Sequence, residues 1–231
     1  MPGGISFPCR VLKWFKFGLG LLLLPICAGA AVALWRLLLL AGKADTTWVM
    51  TLAGAGCWLV IFFLLPKPMW IYVFGHELTH ALWSWLFGGQ IKKLKVTSKG
   101  GHVVVTKSNF LVALAPYFFP LYAAIVVAVF VAGHLIWDWH SYFIVFHLFL
   151  GAAYAFHVTL TAYILQTRQS DITEEGYLFS ATIIFLGNVL VLLLGLPFLT
   201  AETNLLTVLH WWIDGTTSVF QFIATLLPQR G

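Results

Sequence analysis

The chain has 231 residues, of which 61% are hydrophobic and only 9% are charged, and its mean hydropathy is +0.92. This composition excludes a soluble globular domain, because such a domain needs far more charge to cover its surface, and it indicates an integral membrane protein. The net charge of +5 comes from Lys and Arg residues that lie mostly at the ends of apolar runs. That placement favours contact with lipid headgroups and excludes a nucleic-acid-binding stripe.

The first apolar run follows Arg10, Lys13 and Lys16 and contains Ala28-Gly29-Ala30, which imitates a signal-peptidase site. The apolar character continues to residue 40, which is too long for the core of a signal peptide. We therefore expect an uncleaved first span.

Six stretches of the sequence are long and apolar enough to cross a bilayer, which takes about 20 residues. They cover residues 17–41, 48–65, 69–88, 110–137, 142–165 and 177–199. A seventh stretch, 204–227, is interrupted at Asp214 and would either span the membrane or lie at its interface. The connections are short, so we predict an all-α polytopic membrane protein of about six transmembrane helices, forming a single membrane domain over residues 1–231.

The charges leave the orientation of the chain in the membrane open. The loops at 42–47, 89–109 and 166–176 share one face and hold most of the lysines. The positive-inside rule would place that face in the cytoplasm. The basic N-terminus lies on the opposite face and favours the reverse orientation.

Residues 89–109 differ from the apolar runs. Residues 91–96 alternate partly between apolar and charged, 98–101 supply a turn, and 102–106 are mostly β-branched. This pattern predicts a β-hairpin, which must lie at the interface or line a cavity because lipid does not tolerate exposed strand edges. Its five lysines are explained most simply by contact with anionic lipids, whereas its backbone edge could hold an extended peptide.

The third apolar stretch contains the sequence His76-Glu77-Leu78-Thr79-His80. Residues i and i+4 lie on one helical face, so His76 and His80 can bind one metal ion. Glu77 projects about 100° away from His76, near enough to reach a water molecule without being a ligand. The alternative is a polar contact between helices, which explains one such residue better than three at this spacing.

The sequence FGHELTHA at 74–81, followed by a hairpin that contains Gly100-Gly101-His102-Val103, resembles the site-2 protease family of intramembrane zinc metalloproteases. The resemblance covers about residues 70–171 and is strongest to the short bacterial members without a PDZ domain. It implies cleavage of membrane-embedded protein segments, a Zn²⁺ ion held by two His and a distant Asp, and a location in the bacterial inner membrane.

The resemblance assigns the third zinc ligand to Asp171, whose loop shares a membrane face with the end of the third span. Asp171 is followed by Ile172, where the family usually has Gly. An alternative interpretation makes Asp171 the N-cap of the sixth span, stabilised by the helix dipole. A ligand can also occupy a cap position.

Two further residues are secondary candidates. His157 is either the third ligand in place of Asp171 or, as we favour, a partner in an interhelical hydrogen bond. Asn109 is either the family's oxyanion-steadying Asn or a turn or cap residue. The helix that follows Asn109 contains Pro116 and Pro120, which should kink it and could open a path to the site.

These observations predict an intramembrane zinc metalloendopeptidase with a catalytic core at about 69–176. Zinc would lie on His76, His80 and Asp171, and Glu77 would act as the general base. The substrate would be a transmembrane or membrane-proximal segment of another protein; the oligomeric state is left open. The alternative is a non-catalytic zinc-binding membrane protein, or a pseudo-protease that acts as an assembly or chaperone factor. Glu77 favours the enzyme, because zinc binding alone needs no Glu beside His76.

Overall fold

The computed structural model describes residues 9–41, 45–97 and 100–226. Most of these residues are helical, and one small antiparallel sheet lies between the third and fourth helices. The elements in chain order are α1 (Cys9–Ala41), α2 (Asp45–Leu64), α3 (Met69–Leu86), β1 (Ile91–Thr97), β2 (Gly100–Val105), α4 (Phe110–Phe118), α5 (Leu121–Trp137), a short 3-10 helix (Trp139–Tyr142), α6 (Phe143–Ile164), α7 (Ser170–Glu175), α8 (Tyr177–Thr200) and α9 (Leu205–Leu226).

Several helices agree with the predicted polytopic membrane protein. Four helical segments are long and apolar enough to cross a bilayer, and α4 with α5 would make a fifth if the bent pair is one span. The four are Val11–Ala41, Thr46–Leu64, Trp139–Ile164 and Tyr177–Thr200. Helices α3 and α9 fall outside this set, because α3 carries the His-Glu-His motif and α9 is amphipathic. The count of six spans therefore stays a prediction.

The chain packs as two compact units. One consists of Met1–Ala41 together with Gln169–Gly231, and the other is Gly42–Arg168. The single domain that we predicted over residues 1–231, with its core at about 69–176, stays a prediction.

In the first unit, α1 packs against α8 and α9 through small residues. A Cβ atom added at Gly29 of α1 would lie 2.1 Å from the Thr216 hydroxyl oxygen of α9, so the two backbones approach closely. The Trp212 indole N–H donates to the Ile26 carbonyl oxygen at 3.0 Å. Such close contacts are the usual way that helices associate where lipid is the solvent.

In the second unit, α2 and α6 lie in backbone contact. A Cβ atom at Gly54 would lie 1.8 Å from the Leu148 carbonyl oxygen, and one at Gly151 would lie 1.9 Å from the Thr51 carbonyl oxygen. The two glycines therefore permit a distance between helices that no larger residue allows. A buried cluster then attaches α3 to this pair; its members are Trp58, Tyr72, Val73, Phe156 and Leu160.

The two strands form a hairpin whose register aligns Lys95 with His102 and is shifted between Ile91 and Lys93. Both strands pack on α3, so the sheet covers the helix that carries the motif. The side chains of β1 are mostly exposed, and the second half of β2 is partly buried.

The apolar segment 110–137 is broken. Helix α4 ends at Phe118, α5 begins at Leu121, and the two axes differ by 76°. Phe119 has an extended backbone (φ −95°, ψ 108°) because the residue before Pro120 avoids the helical region. The predicted proline kink is confirmed, and it is a break rather than a bend.

Candidate metal centre

The two histidines of the motif share one face of α3, as predicted. Their ring centroids are 4.9 Å apart with the planes at 81°, and a ring nitrogen of His76 lies within 4.8 Å of one of His80. Both side chains are partly buried. This limit of 4.8 Å is close to the separation of two ligands of one metal ion, since nitrogens that each bind zinc at about 2.0–2.1 Å lie at most about 4.2 Å apart.

A neighbouring backbone orients His80. Its Nδ1 lies 2.7 Å from the Val112 carbonyl oxygen in the first turn of α4. A carbonyl oxygen only accepts hydrogen bonds, so Nδ1 is a protonated nitrogen, and in the neutral ring Nε2 is then the nitrogen that carries the lone pair. An imidazole that donates its other N–H to a carbonyl is the usual arrangement of a metal-binding histidine. This donor set therefore fits a zinc ion.

Asn109 is the N-cap of α4. Its side-chain oxygen accepts a hydrogen bond from the Val112 N–H at 2.9 Å. Val112 therefore donates its N–H to Asn109 and accepts the His80 ring N–H at its carbonyl oxygen. Of the two roles expected for Asn109, the structure shows the cap; the oxyanion role stays a prediction.

Glu77 is buried, with 8% of its surface exposed, beneath the hairpin. A Cβ atom at Gly101 of β2 would lie 2.5 Å from Glu77 Cγ, 2.7 Å from Val73 Cγ1 and 2.8 Å from a Glu77 carboxylate oxygen. Only glycine allows the strand to pass this close. The hairpin thus covers the carboxylate that the motif predicts as the base.

Aromatic side chains surround His76. The Tyr117 ring meets it edge-on at 5.2 Å, and the Tyr72 ring lies 5.9 Å away. Tyr122 of α5 lies over Gly75, where an added Cβ atom would come within 2.6 Å of its ring, and its hydroxyl donates to the Ile71 carbonyl oxygen at 2.6 Å. The sequence did not lead us to predict a role for Tyr122. The signal that could have pointed to it is its position, as an aromatic residue with a hydroxyl group, two residues after Pro120.

A small pocket opens beside His76 at the break between α4 and α5. Four of its lining residues, Pro116, Phe119, Leu121 and Tyr122, flank or form the break. The others are Tyr72, Gly75, His76, Thr79, Phe156 and His157. The pocket lies where we expected the prolines to open a path, and it borders the motif helix; the path itself stays a prediction.

His157 lies in α6 and is 7% exposed. It lines the pocket together with His76. Among the residues described within Gly42–Arg168, no third His, Cys, Asp or Glu offers an atom within 4.8 Å of both motif histidines. His157 therefore lies near the two motif histidines but is not close enough to both of them to bind the same metal ion in this arrangement. We favoured an interhelical hydrogen bond for His157, and its Nε2 forms none with the residues that the structure describes.

Asp171 lies in the first turn of α7, in the other unit. Gln169 is the N-cap of α7, and Gly176, at φ 95°, separates α7 from α8. The interpretation of Asp171 as the N-cap of the sixth span is therefore wrong, because that span begins only at Tyr177. Its role as third ligand stays a prediction.

No family model, curated protein or solved structure matches the chain. The resemblance to the site-2 proteases therefore depends on the motif and hairpin residues alone.

Proposed function

We propose that the protein is an intramembrane zinc metalloendopeptidase. The observation that carries the proposal is the joint placement of the motif: two histidines on one face, one of them oriented through Nδ1, with a buried glutamate beside them under a strand. A structural polar contact between helices would need neither the orientation of His80 nor the strand over Glu77.

His76 and His80 would hold the zinc ion, and we infer that Asp171 supplies the third ligand. Zinc, when bound, supplies a Lewis acid that activates water and polarises the peptide carbonyl. Glu77 accepts the proton of the attacking water and passes it to the amide nitrogen. The water oxygen bonds to the carbonyl carbon, and the carbon–nitrogen bond then breaks as the nitrogen takes the proton, which leaves a carboxylic acid and an amine.

The substrate would be a transmembrane or membrane-proximal segment of another protein. A helix hides its peptide bonds, so a segment must unwind before it can be cleaved. The exposed edge of β1 could hold an unwound segment as an added strand. We infer in addition that α3 crosses the membrane as one of about six spans, with the hairpin at its interface, and that the membrane is a bacterial inner membrane.

Glu77→Gln tests this function because Gln nearly matches Glu in shape but cannot take a proton. We expect wild type and variant to hold about one zinc per chain, since Glu77 is a base and not a ligand. Only the wild type should create new protein N-termini within transmembrane segments. The measurement is N-terminal labelling and mass spectrometry of host membranes that contain either protein.

Equal cleavage by both proteins would contradict the mechanism. Zinc in both without any cleavage would favour the alternative, a zinc-binding protein that acts without hydrolysis.

A further inference from the structure

His157 carries a buried polar atom whose role the proposed function leaves unassigned. Its Nε2 is fully buried and has no hydrogen-bond partner among the described residues of the chain. An imidazole nitrogen in an apolar interior is costly when nothing bonds to it. Within a membrane-spanning helix, such a group marks a functional site more often than not.

The pocket beside His157 is suited to water in size and polarity. It has room on the scale of a single water molecule, which needs about 10–15 Å³ for its centre. A buried water also needs two to four polar partners. The polar side chains that line the pocket besides His157 are Tyr72, His76, Thr79 and Tyr122. The Thr79 and Tyr122 hydroxyls donate to backbone carbonyls, at 2.7 and 2.6 Å, and keep lone pairs to accept with.

We propose that His157 Nε2 holds a water molecule in this pocket, beside His76. The water bonds to His157 and to the polar groups of α3 or α5, and it enters through the break between α4 and α5. No covalent bond to His157 forms or breaks, so His157 is a positioning residue.

The water site has a consequence that rests on the proposed function. Each peptide bond cleaved consumes one water molecule, and the pocket beside His76 is also lined by the apolar side chains of Phe119, Leu121 and Phe156. A water molecule held beside His76 replaces the one that hydrolysis consumes. No further water molecule then has to cross the lipid before the next cleavage. Loss of the site should therefore lower kcat and leave KM unchanged, because substrate binding does not involve it.

The water site is tested by hydroxyl-radical footprinting with X-rays on the full-length zinc-loaded protein, since ordered waters label the side chains next to them. We expect His157→Leu to lower the labelling of Tyr122 and Tyr72 by at least about twofold, because leucine offers the water no hydrogen bond. His157→Gln should restore labelling, since its amide reaches a similar position and can donate or accept.

His147→Leu is the matched control. His147 lies in the same helix, is 1% exposed, and has an Nε2 without a partner among the described residues. Its Nδ1 lies 3.4 Å from the Thr51 hydroxyl, and it does not line the pocket. This variant should leave the labelling of Tyr122 unchanged.

Three results would overturn the proposal: wild-type labelling in His157→Leu, an equal loss in His147→Leu, or loss of zinc from His157→Leu, which would make His157 a ligand. If labelling falls as expected while the wild type cleaves nothing, the water site stands and the hydrolase proposal fails. A fall in kcat of about tenfold with constant KM, the size that losses around a metal site reach, would support both.

Discussion

At the scale of single residues, the motif histidines depend on groups that are distant in sequence. The Val112 carbonyl oxygen fixes the ring of His80, and Asn109 fixes the turn that presents this carbonyl. Gly101 allows β2 to approach Glu77. These contacts give the side chains of the motif defined positions and orientations.

The residues whose side chains would take part in the reaction could be predicted from the sequence, whereas the residues that position them could not. His76, Glu77 and His80 follow from the spacing of a helix. Val112 acts through its backbone, which carries no side-chain signal. Gly101 was part of the predicted turn, but its contact with Glu77 depends on how the hairpin packs, which spacing along the chain does not determine.

Asp171→Asn tests the third ligand. Asp171 lies within the first turn of α7 and is not its N-cap, so the exchange should leave the helical content unchanged. Asn is a much poorer zinc ligand, and we expect zinc affinity to fall by at least about tenfold. The measurement is competition with a chelator of known zinc affinity, alongside circular dichroism.

His157→Leu is the parallel variant and should bind zinc as the wild type does. Normal zinc binding by Asp171→Asn together with weak binding by His157→Leu would show that His157 is the ligand.

At the scale of elements, the predicted stretches mostly become helices, and the differences have local causes. The stretch 110–137 becomes two helices because Phe119 precedes Pro120. The last apolar stretch forms α9, which is long enough for a span but not apolar enough, since polar residues such as Asp214 recur along it. Gly176 separates α7 from α8, so that α8 begins at Tyr177, where the predicted stretch 177–199 also begins.

Gly101→Ala tests whether the hairpin positions Glu77. The added Cβ atom would lie 2.5 Å from Glu77 Cγ, so the strand or the carboxylate must shift. A displacement of about 1 Å at a reacting group can lower the rate about 100-fold, and we expect a loss of that order in proteolysis with zinc retained. The rate is measured on the cleavage sites that the N-terminal labelling identifies.

Gly56→Ala is the control for this exchange, because a Cβ atom there meets nothing within 4 Å. If both variants cleave at the wild-type rate, the strand does not position the base.

At the scale of the whole molecule, membrane character was evident from composition, but the number of spans was not. Helix α3 has 18 residues, which is about 27 Å of helix against a hydrocarbon core of about 30 Å. Its polar motif also lowers its hydropathy. Whether such a helix crosses the bilayer depends on neighbouring helices that shield the motif from lipid. Composition alone does not show which helices are neighbours.

Single cysteines at the ends of α3 test whether it crosses. Trp70→Cys and Phe87→Cys, made in a cysteine-free background, should react with a membrane-impermeant maleimide from opposite sides of sealed vesicles. Lys95→Cys in the hairpin should react from the same side as Phe87→Cys. Labelling of both ends of α3 from one side would mean that α3 does not span.

The segment that leaves the hairpin is tied to α3 at two points, one helical turn apart. The Ser84 hydroxyl donates to the Lys107 carbonyl oxygen at 2.7 Å, and the His80 ring donates to that of Val112. The His80 ring has therefore already lost its rotational freedom when a metal ion arrives. Metal binding need not pay that part of the conformational entropy again. Zinc should act as a late addition to a formed scaffold, unlike a zinc finger, whose fold appears only with its metal.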